Sequence, residues 1–237
     1  MGIQGLNSER INSKVAQYWS VSVTEETTST QIDLARNFQP GKVLVAEYQS
    51  EGRGRLDRKF IVPPRKGLTF SFTHAVDKDF GWIPLITGLA VSRTINEYLG
   101  NEIVEIKWPN DLLIDGKKLC GILAEHANGG VVVGVGININ QDKTELPIED
   151  AISLSMITEV DREELLVMIL MELGNSFNNM EIQKNLYREN CRTIGQRVRA
   201  TLPNGDEIED LAIGISNEGA LLLNTREISV ADIVHLR

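Results

Sequence analysis

Residues 111 to 139 read DLLIDGKKLCGILAEHANGGVVVGVGINI, three apolar runs parted by Asp115-Gly116 and Asn128-Gly129. Both dipeptides favour tight two-residue turns, so the runs are expected to fold back on one another as a three-strand antiparallel meander. Gly134-x-Gly136 invites a different reading, a dinucleotide-binding loop. That reading fails because Ile139 stands where the third glycine belongs and the segment continues as a strand instead of opening a helix.

Working outward, a short strand through Ile106 precedes the meander, and before it lies a helix over 80–100, with Pro84 in its first turn and Gly100 at its end. Further upstream, strands are expected over 19–23, 42–48 and 67–76. A helix capped by Asn7 or Ser8 should reach Gln17, and another should span 29–38 before Pro40 and Gly41 stop it. Downstream, Asp161 and Glu164 have capping-box spacing at the head of a helix over 161–177, and a second helix spans about 179–191. Beyond Gly195 come short strands with turns at Asn204-Gly205 and Glu218-Gly219, the pattern of a small barrel. The expected class is α+β: a mixed, largely antiparallel central sheet with flanking helices in residues 1–193, and a small C-terminal β-barrel of the SH3-like kind in 194–237.

Composition sets outer limits. The chain has 237 residues, 42% apolar and 24% charged, ordinary for a globular protein of one large or two unequal domains. Its formal net charge of -9 argues against a whole surface built for nucleic acid. Cys120 and Cys191 form no C-x-x-C pair, so neither a disulfide framework nor a zinc site is expected, and a reducing cytoplasm fits. The N-terminal stretch has neither the pattern of a signal peptide nor that of a membrane anchor. His74, His126 and His235 lack ligand spacing and read as structural or exposed.

Two clusters carry candidate chemistry. In EYQSEGRGRLDRKF, residues 47–60, Arg53, Arg55 and Arg58 alternate with Gly52 and Gly54 just after an apolar strand. Planar guanidinium forks beside unobstructed backbone amides make an anion clamp, although four residues alone read equally well as a solvated turn. In IKWPNDLLIDGKKLCGILAE, residues 106–125, Lys107, Asn110, Asp111 and Lys118 surround a turn and a hairpin. They could converge on a phosphate or magnesium, or Trp108 to Asp111 could simply turn the chain.

Taken in order, ETTSTQIDLA (26–35), the arginine loop, GLTFSF (67–72), KWPNDLL (107–113), KKLCGILAE (117–125) and GVGININ (134–140) resemble the biotin protein ligases, over about residues 6 to 193. The small C-terminal barrel fits the same family. The resemblance implies the class II synthetase-like fold of biotin and lipoate ligases and a two-step reaction. Biotin and ATP, with Mg2+, first give biotinyl-5′-AMP and pyrophosphate; a lysine of a biotin carboxyl carrier domain then takes the biotinyl group and AMP leaves.

On the family pattern, Ser29, Thr30, Gln49, Gly52 and Gly121 fall at the biotin pocket. Arg53 and Arg55 would hold carboxylate and phosphate, and Arg58 the departing pyrophosphate. Lys118 would touch both the biotin carboxylate and the α-phosphate, Lys107 would support the phosphates, and Asp111 would orient or deprotonate the incoming lysine. Phe60, Asn110 and Asn138 would serve the adenylate, Asn138 through an amide that offers the adenine edge both a donor and an acceptor. Two departures stand out: Gln31 where the family usually has asparagine, and Phe60 in place of tryptophan. With the catalytic motifs starting by residue 26, no DNA-binding role is expected; exposed sheet edges would suit a homodimer. The alternatives are a lipoate or octanoyl transferase of the same superfamily and a non-catalytic nucleotide or nucleic-acid binder.

Overall fold

The computed structural model describes residues 3–55, 58–76 and 78–236, so Leu56 and Asp57 of the arginine loop lie outside the described residues. A seven-stranded mixed sheet has the order β1-β2-β3-β7-β6-β5-β4. Its strands are β1 (Ser20–Thr24), β2 (Lys42–Ala46), β3 (Gly67–His74), β4 (Glu105–Lys107), β5 (Asp111–Ile114), β6 (Lys117–Ala127) and β7 (Gly130–Asn138). Only β1 and β2 run parallel; every other neighbouring pair is antiparallel.

The meander forms as its turns dictate. Asp115 (φ 51°) and Gly116 (φ 75°) are both left-handed between β5 and β6, and Gly129 (φ 98°) turns β6 into β7.

Helices α1 (Ser8–Val15), α2 (Thr30–Arg36), α3 (Trp82–Leu99), α4 (Arg162–Phe177) and α5 (Met180–Asn190) flank the sheet. Asp161 accepts from the backbone N–H of Glu163 and Glu164 to open α4, and Gly100, at φ 61°, closes α3. The apolar face of α3 lies across the meander, with Gly88 against Ile122 and Leu112. There Phe70, Phe72, Val133, Val135, Leu166 and Ile169 are buried in one continuous core. α2 sits against β2, β3 and β7 and brings its N-terminus to the end of the strands.

The C-terminal residues form a separate antiparallel sheet, β11-β10-β9-β8-β12, from β8 (Arg197–Thr201), β9 (Glu207–Ile215), β10 (Leu221–Leu223), β11 (Glu227–Ile228) and β12 (Asp232–His235). It is tied to the larger sheet at several points. Trp82 Nε1 donates to Asn217 O at 2.6 Å and Trp108 Nε1 to Gly219 O at 3.1 Å. Among the described residues no helix is long and apolar enough to cross a membrane.

His74 stacks on Phe177 with ring centroids 4.4 Å apart, and burial lowers its pKa below the usual 6.5. The unfolded chain therefore binds a proton there before the folded one does, and stability is lost as pH falls from about 7 through the unfolded value. His74→Phe, which keeps the stack, is expected to flatten the fall in thermal midpoint between about pH 7.5 and about pH 5.5. An unchanged slope would remove His74 from the acid sensitivity.

Candidate functional site

A cavity of about 320 Å³ opens on the face of the sheet opposite α3. Its floor is set by strand register. Thr69 of β3 pairs with Gly136 of β7, Gly136 with Gly121 of β6, Gly121 with Asp111 of β5, and Asp111 with Lys107 of β4. Paired residues share a face, so one row across five strands runs from a hydroxyl over two bare backbones to a carboxylate and an ammonium.

The glycines are spaces for other side chains. A Cβ on Gly136 would lie 2.5 Å from the Phe60 ring, and one on Gly134 would lie 2.5 Å from Gln31 Oε1. Next to Gly121, Lys118 Cε and Nζ would both lie 3.4 Å from a Cβ. The G-x-G run therefore admits Phe60 and Gln31 over the sheet.

One part of the cavity is a cluster of neutral polar groups. Gln49 Oε1 accepts from Thr30 N at 2.8 Å and from Thr30 Oγ1 at 3.0 Å, and Thr30 Oγ1 lies 2.7 Å from Ser71 Oγ. With its oxygen so occupied, Gln49 keeps its amide nitrogen as a donor. A Cβ on Gly52 would lie 2.0 Å from Phe60 O and 3.0 Å from that nitrogen, so the close pass of the Phe60 backbone is what keeps the chain bare there. Gln31 is buried, and its Nε2 donates to Leu123 O at 3.3 Å and Val132 O at 3.2 Å. The extra methylene relative to asparagine thus anchors the side chain to the backbones of β6 and β7. Ser29 lines the cavity beside Thr30.

The other part is charged. Lys118 Nζ lies 2.5 Å from Asp111 Oδ1, an ion contact rather than an aligned hydrogen bond. Arg53 reaches Glu125 at 3.1 Å. Arg55 Nη1 donates to Asn110 Oδ1 at 3.0 Å and its Nη2 to Ala231 O at 3.4 Å; burial lowers the Arg55 pKa, opposed by Asp232 and Asp111. Arg58 pairs with Asp232 of β12. The loop folds on itself through Gly54 N to Arg58 O at 2.7 Å and Phe60 N to Gly52 O at 2.8 Å.

Of the residues singled out in the sequence, Ser29, Thr30, Gln49, Arg53, Arg55, Arg58, Phe60, Asn110, Asp111, Lys118, Gly121 and Asn138 line this cavity. Gly52 and Lys107 do not. Gly52 shapes it from behind, and Lys107 flanks it as the register partner of Asp111. Burial lowers the Lys107 pKa, with Asp111 opposing the shift and Lys118 adding to it. Burial also lowers the His235 pKa, helped by Lys107 and Arg192; its Nε2 lies 3.1 Å from Thr193 Oγ1, which accepts from Trp108 N at 3.0 Å.

One expectation changes. Asn138 does not offer a free donor, because its Nδ2 faces Ile152 O at 3.2 Å and Lys118 O at 3.4 Å. Lining residues given no role in the sequence reading include Thr69, Ser71, Ile148 and Asp232. Ser71 lies inside GLTFSF, a stretch read for its strand alternation and given no side-chain role, and Asp232 comes from the far end of the chain. Among the described residues no group of three or more His, Cys, Asp or Glu side chains is arranged to hold a metal ion.

Residues 20–142 match the biotin/lipoate A/B protein ligase family, and residues 193–236 match the biotin protein ligase C-terminal domain. The biotin--[acetyl-CoA-carboxylase] ligase of Mycobacterium tuberculosis is 35% identical, over 92% of this chain and 89% of its own length. The bifunctional ligase/repressor BirA of Bacillus subtilis is 33% identical, over 94% of this chain and 73% of its own. Among solved structures, the biotin protein ligase from Aquifex aeolicus in complex with biotin and ATP superposes with a TM-score of 0.79 at 30% identity, covering 92% of this chain and 98% of that one.

Proposed function

The chain belongs to the biotin/lipoate A/B protein ligase family and is a biotin protein ligase, and from that premise we propose how its own residues divide the reaction. The observation that carries the proposal is the meeting, in one cavity, of the Thr30–Gln49–Ser71 polar cluster with the cations of Lys118 and the arginine loop.

Biotin's ureido head needs both donors and acceptors. Gln49 Nε2 and the hydroxyls of Ser29 and Thr30 supply them, with Gly52 giving the ring access. The valeryl carboxylate then lies toward Lys118, whose ammonium balances the charge as a carboxylate oxygen forms a bond to the α-phosphorus of ATP and the bond to pyrophosphate breaks. Asp111 keeps that ammonium in place. Arg53 exchanges Glu125 for substrate anions, Arg55 contacts the adenylate, Arg58 takes the leaving pyrophosphate, and Lys107 adds positive charge behind them. Asn110 holds Arg55. Magnesium would come bound to the triphosphate and would supply further positive charge, since Asp111 and Asp232 already face Lys118 and Arg58.

In the second half-reaction the carrier lysine, as a free amine, attacks the acyl carbon; the nitrogen loses a proton to solvent, the bond to the phosphate oxygen breaks and AMP leaves. Asp111 orients that amine. The acceptor is the biotin carboxyl carrier domain of a biotin-dependent carboxylase. In our reading the protein carries no repressor role, consistent with its net charge of -9. We assign residues 1–193 to catalysis and 194–237 to a second domain that braces the arginine loop through Ala231 and Asp232. The two free, buried cysteines suit a reducing cytoplasm, and the edge strand β1 suits a homodimer.

Phe60 stacks on adenine in this scheme, so Gly136→Ala, by displacing the ring, should raise the ATP KM about fivefold to tenfold with little loss of fold. An unchanged KM would separate Phe60 from the nucleotide. A lipoate or octanoyl ligase would want an apolar channel at Thr30, Gln49 and Ser71, where this chain is polar. Pyrophosphate exchange with ATP and magnesium, run with biotin, lipoate or neither, distinguishes the two. Exchange with biotin alone is expected; exchange with lipoate would transfer the assignment to the sister activity.

A further inference from the structure

Gln141 is completely buried, lies three residues beyond the end of β7, and is not among the residues that line the cavity. Its Nε2 donates to Asn138 Oδ1 at 3.0 Å, and its backbone carbonyl accepts from Ser153 Oγ at 2.7 Å. Its Oε1 meets no protein donor among the described residues, so the donor end makes the contact that matters. Asn138 in turn directs its Nδ2 at Ile152 O and Lys118 O.

This network admits one orientation of each amide. Turning Asn138 over would set its oxygen against two carbonyls, and turning Gln141 over would set oxygen against oxygen. The consequence for the cavity is asymmetric. Both Nδ2 protons of Asn138 are directed at the backbone, whereas Oδ1 receives one hydrogen bond and keeps a lone pair. Asn138, which lines the cavity, therefore has an acceptor and no free donor to offer a ligand there.

We infer that Gln141 is a positioning residue that sets the base selectivity of the nucleotide site, by holding Asn138 so that its oxygen accepts from the 6-amino group of adenine and repels a 6-oxo purine. The inference rests on the nucleotide reading proposed above. It replaces a two-way reading of the adenine edge with a one-way filter.

The test compares ATP with ITP, whose base carries a 6-oxo group in place of the 6-amino group and an N1–H in place of the N1 acceptor, in biotin-dependent pyrophosphate exchange and in calorimetric binding. The wild-type protein should prefer ATP by about a hundredfold, as sites that depend on a buried polar partner do. Gln141→Leu keeps the volume and removes the donor; the ratio of kcat/KM for ATP over ITP should fall about tenfold, with the thermal midpoint near that of the wild type. Gln141→Glu, which sets a carboxylate against Asn138 Oδ1, should lower the ratio further. A loss in which both nucleotides suffer equally would make Gln141 merely structural and overturn the inference, as would equal use of ATP and ITP by the wild type. Selective ATP binding without biotin-dependent exchange would instead support the filter and reject the ligase chemistry.

Discussion

Lys118→Gln should lower the rate of biotin-dependent pyrophosphate exchange by about two to three orders of magnitude while leaving the protein folded. The magnitude is that of removing one preorganised charge aimed at a developing anion. Lys118 is placed for that role by its surroundings: its Nζ is 2.5 Å from Asp111 Oδ1, and its side chain lies beside Gly121 on the cavity floor. The Lys118 and Asp111 side chains are 30% and 21% exposed, so their pairing adds little to stability and the variant's melting point should stay close to that of the wild type. Glutamine keeps most of the length and can still bond Asp111, which isolates the charge. Exchange within about tenfold of wild type would remove Lys118 from the adenylation step.

The second large effect concerns stability. Arg162 is 4% exposed and Glu47 likewise 4%, and they meet at 2.7 Å. Arg162 also donates to Gly67 O at 3.1 Å and Gln4 O at 2.9 Å, while Glu47 Oε1 accepts from Leu6 N at 2.7 Å. This ion pair joins the N-terminal segment, the end of β2, the start of β3 and the first turn of α4. Arg162→Met strands a buried carboxylate and should cost about 3–5 kcal/mol in urea denaturation. Adding Glu47→Gln removes the orphaned charge and should recover much of that loss. A single variant within about 1 kcal/mol of wild type would mean that water reaches Glu47 readily. Glu47 stands two residues before Gln49, so the same variant should also weaken biotin binding modestly.

Legibility in the sequence followed the range of the interactions. The meander could be read because Asp115-Gly116 and Asn128-Gly129 encode their turns locally, and α3 could be read because Pro84 and Gly100 bracket its apolar run. The arginine loop and the Lys107–Lys118 segment stood out because their residue types are chemically unusual together. What the sequence hid is contact across the fold. Asp232 meets Arg58 across 174 residues, Arg162 meets Glu47 across 115, and no spacing rule reaches so far. Gly134 and Gly136 were visible as glycines, but not as the room that Gln31 and Phe60 occupy. Asn138 was singled out in the sequence and lines the cavity, but the engagement of its amide with Lys118 O and Ile152 O was hidden, because those carbonyls reach it only once the sheet is assembled.

The central claim is that this chain joins biotin to a carrier lysine through an adenylate made in the cavity. Its most direct test is the intact mass of a biotin carboxyl carrier domain after incubation with the protein, ATP, magnesium and either biotin or lipoate. The account predicts one biotinyl group on the carrier, none on a carrier whose acceptor lysine is replaced, and no lipoyl group. A carrier that stays unmodified while ATP and biotin are consumed, or one that gains the lipoyl group instead, would contradict it.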